Sequence, residues 1–587
     1  MTFETQASQA LRQPTVTVKL FFDSCTNFFG VLPCTASAPA GKECYNTRKT
    51  CQDVPNFIYA EQIYTFVLEK EKPNPIKQAF NCLKKVDLAP AKIEPGKGLG
   101  SRNNVSIQFN DFTDDDVLTD PYQETRPYIA TDTGTFFGKL LARNPYYQGR
   151  KIEVIYGFID ENGIENTETY IYQMEKLKLD RNGLVTLTGK DPLVKTEAFK
   201  NQVPELSNVT LTKTITPLFN TYFTVSDMAG LGTISPLLGG VGFIRVNDEI
   251  FGYNYIFPLG YQAFPRGLFG TTPAGHSFGD LVQPAIVYEQ ETPDIVLFDL
   301  LTGYAGIDPG FIDQAAWAAE VAAWLNTITL TQVISEPAGV GDIIERILKA
   351  INCELWYNPK AGKIEFKSNS PVLPSQYIPK RLSDADFMQN TIRFKSEEKL
   401  RLSQVWIYTD PKNYLGDFDE VTNYFNVAIA ADLTSEGVYL YNERQVSRVF
   451  GDWLDTNAMG LTVAQNILNR YVNTPYELTA MLDAKDYNAN TGIHFLLDSD
   501  KLQGVDGLPG LTQFQITSAD FDPIEQTVKI TALQFSDIGN PIIYGVVNAN
   551  GAPDYTLATE TQKARAFVAD TVTEKMSDGS PSYRVVP

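Results

Sequence analysis

Four cysteines near the amino end, Cys25, Cys34, Cys44 and Cys51, are the residues best suited to chemistry in this chain. They are separated by eight, nine and six residues on a segment dense in Asn, Thr, Gly and Pro, which reads as irregular loop. A loop can wrap a tetrahedral centre, and four thiolates suit either a 4Fe-4S cluster or structural zinc, since soft sulfur binds both. The C-x2-C pair of zinc ribbons is absent, as is the C-x2-C-x2-C run of bacterial ferredoxins. Spacing alone therefore leaves buried or disulfide-bonded cysteines as an equal reading. Cys82 and Cys353 stand apart and read as ordinary core residues.

The remaining chemical signals are weaker. Gly275-His276-Ser277-Phe278-Gly279 matches the nucleophile elbow of α/β-hydrolases. An elbow needs a strand before it and a helix after it, whereas Asp280 to Pro284 reads as a short strand ending in proline. The chain has only two histidines, His276 and His494, which rules out a His-rich zinc site within one chain. Asp486, Asn488 and Asn490 open like a calcium loop, but Leu497 stands where a bidentate Glu is required, so a polar loop is expected. Asp114-Asp115-Asp116 reads as a solvated turn. Gly96 to Gly100 reads as flexible backbone, having no strand-loop-helix context for phosphate. The Gly-rich apolar stretch from Gly230 to Phe243 reads as a buried or subunit-contact loop, with membrane contact as the rival.

These residues need elements to hold them. A chain of 587 residues implies about three to five domains, and 43% hydrophobic with 20% charged residues is a globular composition. Strands are predicted over Val16 to Phe22, Val105 to Phe109, Ile152 to Ile159, Tyr170 to Leu179 and Leu184 to Thr188. The last two meet across Asp180-Arg181-Asn182-Gly183, where Asn-Gly suits a hairpin turn. A helix is predicted over Asn56 to Glu71, where Phe57, Ile58, Ile63, Tyr64, Val67 and Leu68 share an approximate face. Strands Phe243 to Val246 and Glu249 to Tyr255 belong to a small β insertion. Helices over Gln314 to Leu325 and Gly341 to Cys353, then strands Glu354 to Tyr357 and Lys363 to Lys367, form an α+β unit. Strands return at Ser403 to Tyr408, Gly437 to Tyr441, Gln513 to Thr517 and Thr527 to Leu533, with a helix from Thr462 to Val472 that has Thr462 as its cap.

The balance of 49 basic against 70 acidic residues gives a formal charge of -21, which disfavours a sequence-independent grip on nucleic acid or an anionic bilayer. Met1 to Thr15 shows no secretory signal and no run of about 18 apolar residues occurs, so the chain is expected to be made in the cytoplasm and to lack a spanning helix.

Several segments together resemble the tail-tip or baseplate hub proteins of long non-contractile-tailed bacteriophages and gene transfer agents. They are Pro95 to Gly100 leading to Val105 through Phe112, Asp120-Pro121-Tyr122, Arg126-Pro127-Tyr128, and Gly134 through Leu140 to Ala142 through Arg150. A second set is Asn247 to Ile250, Arg266 to Thr271, His276 and Gly279. The resemblance covers residues 15 to 545 and implies a mainly β chain with α+β insertions, a multi-domain hub with two tube-type β-barrels. It divides the chain into a first tube-type barrel with the cysteine loop (1–200), a small β insertion (201–292), an α+β domain (293–392), a second tube-type barrel (393–545) and a C-terminal extension (546–587). It implies a 4Fe-4S cluster on Cys25, Cys34, Cys44 and Cys51, with structural zinc as the alternative. It further implies a homotrimeric ring that adapts a sixfold tail tube to threefold tip components and lines the DNA exit channel. The expected partners are the distal tail or tube protein, the tape-measure protein and central fibre or tip proteins, with phage DNA passing without specific binding and transient contact with the host envelope. The expected place is the virion tail tip and the expected role is structural. The rivals are a cysteine-ligated redox enzyme and a tail-associated receptor- or glycan-binding module.

Overall fold

The computed structural model describes residues 13–535 except 38–42, 71–77, 161–162, 198–200, 218–220, 228–241, 257–259, 264, 370–378, 484–488, 504–506, 508 and 523–524. The expectations for Asp486, Asn488, most of Gly230 to Phe243 and the C-terminal extension fall outside the described residues. The chain is mainly β with α+β insertions, as its alternating Val, Ile, Tyr and Phe runs lead one to expect.

Seven strands close a barrel near the amino end: β1 (Pro14–Cys25), β2 (Tyr59–Leu68), β3 (Phe80–Ala89), β4 (Asn104–Asn110), β5 (Lys151–Asp160), β6 (Gly163–Leu179) and β7 (Leu184–Lys190), in the order β1-β2-β3-β4-β7-β6-β5. Val16, Val18, Leu20 and Phe22 point into its core, following the two-residue period of a pleated strand. The β6–β7 turn uses Gly183 at φ +74°, a left-handed conformation that favours glycine. Helix α1 (Phe136–Arg143) packs onto the barrel through Phe136 and Phe137, whose rings lie 4.6 Å from Phe80 and 5.0 Å from Phe109 respectively. Closure pairs every strand on both sides and leaves no edge to aggregate.

The helix predicted over Asn56 to Glu71 is instead strand β2, paired with β1 from Thr17↔Val67 to Cys25↔Tyr59. Apolar residues here are dense enough to satisfy both periods, and the aromatic and β-branched character of Tyr59, Ile63, Tyr64, Phe66 and Val67 favours the strand.

Between the barrel and the carboxyl side, β8 (Gln202–Val203) leads to the strands β9 (Thr221–Phe223), β10 (Gly242–Val246), β11 (Glu249–Ile256), β12 (Gly260–Ala263), β13 (Val282–Glu291) and β14 (Leu330–Ile334), which form one six-stranded sheet. Strand β13 continues through Pro284 rather than ending there. Helices α2 (Pro293–Asp299), α3 (Gln314–Trp324) and α4 (Val340–Ala350), the short β15 (Ala338–Gly339), and the hairpin β16 (Cys353–Asn358) with β17 (Lys363–Ser368) build a second core. Gly98 and Gly100 are not loose: Gly100 N–H donates to Leu355 O at 2.9 Å and Leu355 N–H to Gly98 O at 3.1 Å, tying this loop to β16.

The carboxyl half holds β18 (Lys380–Ser383), β19 (Arg393–Ser396), a three-stranded sheet of β20 (Gln404–Pro411), β21 (Tyr424–Ala431) and β22 (Val446–Phe450), helix α5 (Asn457–Tyr471), and β23 (Tyr476–Asp483), β24 (His494–Gln503), β25 (Pro509–Asp522) and β26 (Thr527–Gln534). Thr456, not Thr462, caps α5, accepting from Met459 N–H at 3.3 Å. Gly437 to Tyr441 is a turn rather than a strand, with Leu440 N–H donating to Gly437 O and Val438, Tyr439 and Leu440 exposed.

Of the two expected barrels, one closes fully. The second is a six-stranded sheet in the order β18-β24-β25-β26-β23-β19. Its opposite edges, β18 and β19, are consecutive in the chain, and between them Phe387 bridges to Leu482, so one segment spans the gap of a curled sheet. Both sheets share one hydrophobic core, where Tyr156 meets Phe521 edge-on at 5.9 Å.

The junction of the α+β unit, α5 and the second sheet buries a polar chain. Glu354 accepts from Asn369 Nδ2 at 3.1 Å, and Arg470 donates to Asn369 Oδ1 and Gln515 Oε1. Burial pushes the Glu354 carboxyl up to about 7 against the pull of Arg470. A raised acid contributes its full stability below the unfolded value near 4.5 and loses it as pH rises through about 7. At ~1.4 kcal/mol per unit the wild type should lose up to about 3 kcal/mol across that window. Urea titrations at several pH values should therefore show Glu354→Gln with a flatter stability profile, gaining on the wild type at alkaline pH. A profile parallel to the wild type's would refute the assignment.

Candidate cysteine site

Strand β1 ends at Cys25, which pairs with Tyr59 at the start of β2, so residues 26–58 form one excursion between two paired strands. The ends are pinned: Cys25 N–H donates to Asn46 O at 2.8 Å and Thr26 N–H to Ile58 O at 3.1 Å. The excursion carries Cys34, Cys44 and Cys51, and all four thiols are free and partly buried. Burial pushes the Cys44 thiol up, and the charges of Cys51, Cys34 and Cys25 add to it. Cys51 is raised in the same way, by burial first and then by Cys25 and Cys34. Cys44 and Cys51 thus lie close enough to the other thiols to feel their charge. Backbone donors point at two of them, Asn46 N–H to Cys44 Sγ at 3.4 Å and Asp53 N–H to Cys51.

Among the described residues, no group of three or more His, Cys, Asp or Glu side chains could hold a metal ion. Cys82 and Cys353 are buried core residues.

What holds the loop is a set of buried charges. Arg126 grips Asp120 with two bonds, Nε to Oδ2 at 2.6 Å and Nη2 to Oδ1 at 2.8 Å, and its Nη2 also donates to Cys44 O at 2.6 Å. Arg143 grips Asp116 at 2.9 and 3.1 Å, with Lys139 at 3.3 Å from the same carboxylate. The Tyr45 ring lies between the two guanidiniums, 4.3 Å from Arg126 and 4.2 Å from Arg143. Its hydroxyl meets Tyr128 at 3.0 Å. Tyr122 OH donates to Asn46 Oδ1 at 2.8 Å and accepts from Phe29 N–H at 2.9 Å.

The expected solvated turn at Asp114-Asp115-Asp116 is therefore corrected. Asp114 and Asp116 are buried, because Lys139 and Arg143, one helical turn apart on α1, supply the countercharges. Burial raises the Asp114 carboxyl, whereas at Asp116 the Arg143 guanidinium outweighs burial and lowers it. Sequence reasoning quoted Asp120, Tyr122, Arg126 and Tyr128 without assigning them a role and missed Tyr45 and Asn46. Nothing local in the sequence announces these long-range partners.

The G-x-S-x-G segment has no elbow geometry. His276 bridges to Ile215, Ser277 is exposed with its N–H donating to Asp280 Oδ2 at 2.8 Å, and strand β13 follows. His276 Nε2 instead contacts Glu249 Oε2 at 2.9 Å inside a buried cage where Arg266 grips both Glu249 oxygens at 2.6 Å. Burial raises Glu249, and the His276, Arg266 and Ala274 hydrogen bonds overcome it, holding the carboxyl at about 2. His494 is half-buried, and desolvation followed by the charge of Arg470 brings it down to about 3.

No protein-family model and no curated protein matches the chain. Among solved structures it is similar to the tail protein from Neisseria meningitidis MC58, at 10% identity and TM-score 0.35 over 76% of this chain and 91% of that one. It is also similar to the 43 kDa tail protein of prophage MuSo2 from Shewanella oneidensis, at 9% identity and TM-score 0.34 over 78% and 98%. A prophage tail protein from Listeria monocytogenes EGD-e gives 9% identity and TM-score 0.29 over 68% and 88%.

Arg126→Ala should strand the buried Asp120 and free the loop at Cys44, costing about 3–5 kcal/mol. Equilibrium unfolding would measure the loss, and limited proteolysis should cut first between residues 26 and 58. Unchanged stability and an uncut loop would contradict the latch.

Proposed function

We propose that the chain is a structural hub of a phage tail tip or baseplate, acting as a homotrimeric ring at the virion tail tip after synthesis in the host cytoplasm. The observation that carries this reading is the closed barrel fused through one core to a second curled sheet. A rigid chain with two barrel-like units can present two tube-matching positions per subunit, so three subunits would meet a sixfold tube while keeping threefold symmetry toward the tip. Its neighbours would be the distal tail or tube protein, the tape-measure protein and central fibre or tip proteins, with transient host-envelope contact. The net charge of -21 favours passage of phage DNA without adhesion.

In this reading Cys25, Cys34, Cys44 and Cys51 hold a 4Fe-4S cluster, with structural zinc as the alternative. The bound cluster would supply four metal-thiolate bonds that cross-link the excursion. The chain's own part is to orient the thiols through Asn46, Asp53 and Arg126 and to neutralise nearby negative charge with Arg126 and Arg143. We read the role as structural rather than catalytic, since the clefts of about 450, 580 and 940 Å³ are lined by residues other than these cysteines.

Anaerobically purified protein should contain about four iron and four acid-labile sulfide per chain. The variant with Ser at Cys25, Cys34, Cys44 and Cys51 should contain neither. Zinc in place of iron would keep the cross-link and change its chemistry. Protein that retains no metal under these conditions would remove the cluster from the account.

A further inference from the structure

The three-stranded sheet has β21 and β22 as its edges, and β22 is half-buried with Arg448 exposed. Its order is β21-β20-β22, and β22 pairs in parallel with β20 from Gln404↔Val446 to Tyr408↔Phe450. Among the described strands none pairs with the other edge of β22. An uncovered edge presents a row of backbone donors and acceptors to any extended chain that meets it.

Beside that edge lies a cleft of about 450 Å³, within the size range of ordinary ligand clefts. Its walls bring together five cations from four separate segments: Lys97, Arg346 and Lys349 on α4, Lys399, and Arg448 on β22. Three of these have carboxylate partners. Lys97 pairs with Glu94 and Lys349 with Glu345, both at 2.5 Å, and Arg346 with Asp419 and Asp452 at 3.2 and 3.3 Å. Among the described ion pairs, Lys399 and Arg448 have none. Five cations against the four partner carboxylates Glu94, Glu345, Asp419 and Asp452 leave this cleft one positive charge in excess, opposite in sign to a chain with 70 acidic and 49 basic residues.

We propose that the open edge of β22 and this cationic cleft form a docking site for an extended acidic peptide segment of a partner protein. The segment adds as a strand to β22 and sets carboxylates on alternate residues against Lys399 and Arg448. Main-chain pairing supplies affinity and the side-chain pockets supply selectivity, as in strand addition generally. A peptide fits better than a nucleic acid. A sheet edge matches the hydrogen-bonding period of a peptide backbone, and the overall charge of -21 repels a long polyanion. The site is defined by this edge and cleft and stands or falls independently of the tail-tip ring.

The test is fluorescence polarisation with the full chain at low salt, using a fluorescein-labelled hexapeptide of alternating Glu and Val. Saturable binding is expected, at least about tenfold weaker in K399E/R448E, with the variant's circular dichroism and melting temperature unchanged. The same peptide with alternate backbone nitrogens methylated should lose a similar factor against the wild-type protein, a comparison that needs no variant to fold. Hydrogen exchange should slow in residues 446–450 on binding. The proposal is overturned by absence of saturable binding, by equal binding to the double variant or the methylated peptide, or by equal binding of a Lys/Val hexapeptide or a thymidine oligonucleotide.

Discussion

Two carboxylates removed from water, Asp116 and Asp120, decide how the amino-terminal excursion sits on the barrel. Removing such groups from solvent costs several kcal/mol each, and only close, correctly oriented partners offset it. Arg143 and Lys139 supply these for Asp116, and Arg126 supplies them for Asp120. Because the same two arginines face Tyr45 and one of them holds the Cys44 carbonyl, a loop that fully buries none of its described apolar side chains is fixed by charges on the β4–β5 connection and α1. The arrangement constrains where the four thiols can go before any metal arrives. Were the proposed cluster bound there, preformed placement would lower the entropy lost on ligation, and binding would reinforce the fold.

The barrel provides the reference frame. It closes through β1 and β5, so the ends of β1 and β2 from which the excursion departs cannot shear relative to each other. The shared core with the second sheet extends this rigidity across the chain, and the buried Glu354-Asn369-Arg470-Gln515 chain ties in the α+β unit. The insertion is fixed separately by the Glu249 cage. The Glu354 chain and the Glu249 cage each satisfy a buried carboxylate with partners distant in sequence, a device that sets geometry more than it adds stability.

Sequence patterns revealed what depends on local periodicity. Strands β1, β4, β5, β6 and β7 follow from alternating apolar residues, α3 from its Ala- and Trp-rich composition and α4 from helical spacing. Where apolar residues are dense, as in β2, two periods compete and the pairing partner decides. The opposite failure is Gly437 to Tyr441, an apolar run that remains exposed because no strand stands beside it. The cysteines are conspicuous by type, but the groups that orient them are not. Tyr45, Arg126 and Arg143 meet only after the barrel has closed, and no local spacing encodes that meeting. The acidic triplet misled for the same reason, since its partners on α1 are visible only in three dimensions. The second sheet's incomplete closure likewise depends on how one segment spans its two edges.

The central claim is that this latched, cysteine-bearing barrel is part of a ring at a tail tip. The most direct test is a cryo-electron reconstruction of the tail tip of particles whose genome encodes this chain. The account predicts a threefold ring of this chain whose barrels continue the sixfold tube, with density for a cluster enclosed by Cys25, Cys34, Cys44 and Cys51. A tail tip that lacks the chain, or holds it outside the axial ring, would contradict it.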